Sequence, residues 1–127
     1  MMVYDPIKPP VAKEWLGLTS ADRVTLVERY HKQAGPRMFN LRAHATIHAA
    51  VENQAARGVS TPVRKTIRRL MAEGLDRHEA LHAVGTVLAQ VLRGTRANPS
   101  RPGSISARYA DALDALTANG WLRGHRS

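Results

Sequence analysis

Residues 40–57 read Asn-Leu-Arg-Ala-His-Ala-Thr-Ile-His-Ala-Ala-Val-Glu-Asn-Gln-Ala-Ala-Arg, with Gly58 directly after them. Leu41, His44, Ile47, His48, Val51 and Ala55 recur at the 3.6-residue period, so they share one face of a helix. Gly58 stands where a left-handed residue ends such a helix. The apolar face points inward, and it carries His44 and His48 with it. The stretch therefore predicts a buried helix whose inward face bears two imidazoles one turn apart.

The same spacing recurs downstream. His78-Glu79-Ala-Leu-His82 lies at the start of a predicted helix with Leu81, Val84, Leu88, Val91 and Leu92 as its stripe. Asp76 caps this helix, with Glu79 three residues on as in a capping box. Gly85, a turn beyond His82, allows another backbone to come close. Upstream, Thr19 or Ser20 starts a helix with Val24, Val27, Tyr30, His31 and Ala34 inward, and Gly35-Pro36 stops it. Between the histidine pairs, Thr61-Pro62 opens a helix with Val63, Ile67, Leu70 and Met71 inward, ending at Gly74.

The ends of the chain are less periodic. Residues 1–13 hold Pro6, Pro9 and Pro10 and predict an extended arm, with Trp15, Leu16 and Leu18 as first anchors. Residues 14–92 form the main bundle. The span 93–104 has turn composition and predicts a flexible loop. Residues 105–127 give a C-terminal helix and tail: Ile105, Tyr109, Leu113 and Leu116 mark the helix, Asn119-Gly120 ends it, and Trp121 and Leu122 fold back as a lid. No strand pattern or internal repeat is found. The expectation is a single all-α domain, a bundle of about five helices with an extended Pro-rich arm.

At 127 residues and a formal net charge of +9, the chain suits one domain with an affinity for anionic surfaces. It has no cysteine, so disulfides, thiolate metal sites and cysteine nucleophiles are excluded. Any transition metal must be held by His, Asp or Glu. No segment has the run of about 18 apolar residues a membrane span needs, and the N-terminus does not read as a secretory signal, so the chain is expected in the cytoplasm.

Two His-x-x-x-His pairs on inward faces converge if their helices pack together, and one turn is the spacing that lets two imidazoles reach one ion. The expected ligands are His44, His48, His78 and His82, with His31 as a fifth member and Glu52 as a carboxylate ligand or a partner fixing a histidine tautomer. Imidazole suits zinc or iron, whereas magnesium and calcium favour oxygen. Residues 78–82 also match His-Glu-x-x-His, in which the glutamate activates metal-bound water. That would make Glu79 a catalytic base if three histidines bind and a position stays open; four would close the site. A zincin protease does not fit, because nothing reads as a substrate strand. Plainer readings exist: Glu79 serves its capping box, and His31 is a hydrogen-bonded core residue.

Asp5-Pro6, Trp15-Leu16, Glu28-Arg29-Tyr30-His31, His44 to Gln54 and Gly74 to Ala83 together resemble a family of short bacterial proteins with a domain of unknown function. The resemblance covers roughly residues 3–92. Its shared motifs are His-x-x-x-His followed by Glu-Asn-Gln, then Arg-His-Glu-Ala-x-His-Ala. It implies that His44, His48, Glu52, Asn53, His78, Glu79 and His82 form one site, and it implies no reaction.

A second function class is open. Arg64, Lys65, Arg68 and Arg69 form a cationic helix face of the kind phosphate contacts need. The two helices around Gly74-Leu75-Asp76 imitate a helix-turn-helix, but outward Ala80, Ala83, Thr86, Val87 and Gln90 offer base edges little. The alternative is thus a nucleic-acid-binding module in which the histidines are core residues.

Overall fold

A computed structural model describes residues 3–34, 40–58, 61–97 and 105–126. All the regular structure among them is helical. The described residues form seven helices: α1 (Ala12–Leu16), α2 (Ser20–Ala34), α3 (Leu41–Ala56), α4 (Val63–Ala72), α5 (Arg77–Ala97), α6 (Ile105–Ala115) and α7 (Ala118–Arg126). No helix among the described residues is long and apolar enough to cross a membrane.

Local chemistry sets the boundaries. Thr19 Oγ1 accepts from the Asp22 amide, and Asp76 Oδ1 accepts from the Glu79 amide, so both expected caps form. Asn40 sits in the left-handed region (φ 54°) and caps α3 through the Ala43 amide. Gly58 (φ 65°) ends α3 as its position predicts. The Gly35-Pro36 stop lies outside the described residues.

The helix count departs from five at both ends of the chain. α1 forms within the segment read as an arm and its first anchors. Residues 3–11 carry no helix or strand, yet Tyr4 and Pro6 are buried, so this segment is packed down and not a free arm. Near the C-terminus, α6 stops at Ala115 and α7 begins at Ala118, replacing the single helix and lid. α5 runs on to Ala97, through the start of the expected loop, and residues 98–104 lie outside the described set.

α3 is the organising element and packs against α1, α2, α4 and α5. One core cluster gathers Val51, Val63, Ile67, Leu70, Leu81, Val84, Leu113 and Trp121; the other holds Tyr4, Trp15, Leu26, Val27, Ala45 and Ala49. Leu70, Leu81 and Leu113 are almost fully buried, each contributing about 1.5–3 kcal/mol by leaving water. A β-carbon on Gly85 would meet Ile47 Cγ2 at 3.2 Å, so glycine lets α5 lie close to α3.

α5 contacts α3, α4 and α6 at once, and is therefore buried on more than one face. Ala80, Ala83 and Val87, expected outward, are buried, while Leu92 is exposed. α5 cannot serve as an exposed recognition helix. Met71, at the edge of the α4 stripe, is exposed too.

Candidate metal centre

Three helices deliver five imidazoles to one place: His31 from α2, His44 and His48 from α3, and His78 and His82 from α5. Ring centroids of His44 and His82 are 4.8 Å apart, of His48 and His78 5.6 Å, and of His31 and His48 5.1 Å. His31, His48, His78 and His82 each present a ring nitrogen such that the four atoms lie within 4.8 Å of one another. The tetrahedron around a zinc ion has edges of about 3.3–3.4 Å for Zn–N bonds of about 2.0–2.1 Å. Small side-chain rotations therefore close the group on an ion.

Hydrogen bonds select which nitrogen His31 and His48 offer. His31 Nδ1 lies 2.8 Å from the Val27 carbonyl, which can only accept, so Nδ1 carries the proton and Nε2 the lone pair. Tyr4 Oη donates to Glu52 Oε2 at 2.5 Å and lies 2.8 Å from His48 Nε2. Its one proton is spent on the carboxylate, so His48 Nε2 must donate to the phenol oxygen. That leaves a lone pair on His48 Nδ1, a buried atom with no hydrogen-bond partner. His78 Nε2 and His82 Nε2 are buried and unpartnered as well. Buried polar nitrogens without partners are costly unless something binds them.

Four of the imidazoles, His44, His48, His78 and His82, are biased toward the neutral state a metal ligand needs. Burial, then repulsion from the neighbouring imidazoles, lowers His44 and His48 below the usual histidine range. His82 is brought down to about 3 by the same causes in the same order. His78 is lowered by burial and His31, against the opposing pull of Asp76, Glu79 and Asp5.

Behind His48 lies a closed ionic network. Arg77 grips Glu52 with both nitrogens, Nη2 to Oε1 at 2.7 Å and Nη1 to Oε2 at 2.8 Å, and Nη1 also donates to the Pro6 carbonyl at 2.9 Å. Both carboxylate oxygens of Glu52 are thereby occupied. Glu52, expected as a ligand or a tautomer-fixing partner, sits one layer back and holds Tyr4, which holds His48. Burial pushes the Tyr4 phenol up, reinforced by Glu52, so it remains a proton donor.

The neighbouring residues anchor the same helix elsewhere. Asn53 Oδ1 accepts from Trp15 Nε1 at 2.8 Å and Arg23 Nη1 at 3.2 Å, and Gln54 Oε1 accepts from Tyr109 Oη at 2.6 Å. Glu-Asn-Gln thus ties α3 to three different parts of the chain.

The remaining expected residues are placed as follows. His44 lies outside the four-nitrogen group, with its Nε2 3.2 Å from His31 Nε2. Glu79 keeps half of the capping box, through its amide; its Oε1 accepts from Trp121 Nε1 at 2.7 Å and so pins α7 to α5. On the basic face, Arg64 Nε donates to the Ala55 carbonyl at 3.1 Å, and Arg69 pairs with Glu73 at 2.7 Å and donates to the Leu113 carbonyl at 3.0 Å. Lys65 and Arg68 are exposed. Half of that surface is thus spent within the fold. Tyr4 and Arg77 are the functional residues the residue pattern did not single out. Arg77 adjoins His78 in a motif already noted, whereas nothing local marks Tyr4.

A cavity of about 390 Å³ opens beside His44, His48 and His82 and is walled by Ile47, Leu81 and Trp121. A second, of about 380 Å³, lies behind the site between Glu52, Arg77 and α4. No family model matches the chain, and neither a curated protein nor a solved structure is significantly similar to it.

Proposed function

We propose that this is a metal-binding helical protein whose ion is held by His31 Nε2, His48 Nδ1, His78 Nε2 and His82 Nε2. The observation that carries this reading is the convergence of one ring nitrogen from each of those four histidines within 4.8 Å, with three buried and unpartnered nitrogens among the rings. The donor set is all nitrogen. It suits zinc or iron, and zinc more, since no carboxylate belongs to the group. Tyr4, Glu52 and Arg77 orient His48 from behind, the usual arrangement around a histidine ligand. Glu79 acts as the anchor for Trp121 in this reading, and not as a base.

The His31–His44 separation serves both states of such a site. Without an ion, His44 Nε2–H donates to the His31 lone pair. With an ion, that lone pair turns to the metal and the His44 N–H is released.

The test is titration of metal-free protein with zinc against a chromophoric chelator. Equimolar, tight binding is expected, lost in His48→Ala/His82→Ala. Retention of equimolar zinc by that variant would overturn the assignment.

A further inference from the structure

The cavity of about 380 Å³ behind the site is flanked by residues 7–10, α3, α4 and the start of α5, and its volume suits a small organic ligand. Pro9, Ala56 and Ile67 belong to its apolar lining. Ile7 and Met71 line it too and are 48% and 42% exposed. They come from distant parts of the chain, yet these two large apolar side chains meet water at one opening. Apolar surface gathered in this way marks a place where something binds.

Charge restricts what that something is. The charged lining among the described residues is Arg64, Arg68, Arg77 and Glu52. Arg77 and Glu52 neutralise each other at 2.7 Å. Arg64 is half-buried and held through Nε by the Ala55 carbonyl, whereas Arg68 is exposed. Neither forms an ion pair among the described residues. Four residues apart on α4, the two guanidiniums share a helix face beside the apolar opening. An anionic head on an apolar body meets both demands at once, and a cationic head is repelled.

We infer that this cavity is a binding site for an amphipathic organic anion, its head at Arg68 with Arg64 beside it and its body against Ile7, Ile67 and Met71. The occupant needs no ion at the imidazoles, so the site stands whether or not metal is bound. Lys65 provides the contrast: it is exposed on the same helix but does not line the cavity.

The test is calorimetric titration of the full chain, as purified, with decanoate, acetate and decyltrimethylammonium, each below its micelle concentration. Decanoate is expected to saturate one site. Acetate, which lacks the body, should bind at least about a hundredfold more weakly, and the cation with the same chain should not compete. Arg68→Glu should weaken decanoate about tenfold or more, and Ile7→Asp, a change at an exposed position, should weaken it as well. Lys65→Glu should change it less than about twofold, since its charge is screened from the cavity. Melting temperatures equal to that of the parent chain establish that these surface variants fold. Absence of saturable decanoate binding would overturn the inference. So would equal binding of the decyl cation, or a loss on Lys65→Glu as large as on Arg68→Glu, since either makes the binding a general property of the chain or its basic surface.

Discussion

Tyr4 Oη lies 2.8 Å from His48 Nε2, although the two residues are 44 positions apart in the chain. Because the phenol gives its proton to Glu52, it fixes the imidazole tautomer and aims the His48 Nδ1 lone pair at the other rings. Tyr4→Phe removes that acceptor without removing the ring. Metal affinity should fall about 10–100-fold, the usual effect of losing a partner behind a ligand. Chelator competition measures it; an unchanged affinity contradicts the role given to Tyr4.

The Arg77–Glu52 pair is almost wholly buried, with side-chain exposures of 6% and 1%. Removing one partner leaves the other charge uncompensated, so Arg77→Met should cost about 3–5 kcal/mol of stability. Adding Glu52→Leu to it should recover much of that loss. Urea unfolding of the two variants decides it, and equal stabilities would contradict the coupling.

His31 and His44 are near neighbours with different expected roles. His31→Ala should lose equimolar zinc, as should His78→Ala, whereas His44→Ala should retain it. Metal retained by His31→Ala and lost from His44→Ala would exchange their roles. The two-pair pattern of the sequence gives His44 as a ligand, and this comparison separates that assignment from the geometric one.

In metal-free protein, His44, His48, His78 and His82 all titrate below the usual histidine range, His82 at about 3. The unfolded chain then binds more protons than the folded one between those limits, so stability rises with pH there. It is fully present above about pH 6.5 and is lost as pH falls toward 3. Melting temperatures of the metal-free protein at descending pH should fall across this window, less steeply in His82→Gln. A profile flat from neutral pH to pH 4 would contradict the buried neutral cluster.

Periodicity made the helical class and both histidine pairs legible, because the apolar stripe that carries His44 and His48, and the stripe through Leu81 beside His78 and His82, need only local spacing to be seen. The caps at Thr19 and Asp76 and the stop at Gly58 were legible for the same reason. What escaped depends on contacts distant in sequence. Tyr4 and Pro6 sit in a segment without periodicity and are held by partners more than forty residues away. The outward placement expected for Ala80, Ala83 and Val87 fails because the burial of α5 is set by three neighbouring helices, and these residues are small or apolar enough to face any of them. Glu52 was recognised as part of the site, but its position behind the ligands follows from Arg77, whose role only the packed fold reveals.

The most direct measurement is the elemental content of untagged protein purified without added metal, with thermal unfolding before and after chelation. The four-imidazole site predicts near-equimolar zinc or iron, removed by chelator with a fall in melting temperature, since an ion bound only to the folded state stabilises it. Protein that carries no metal, takes up none on reconstitution and melts at the same temperature throughout would contradict it.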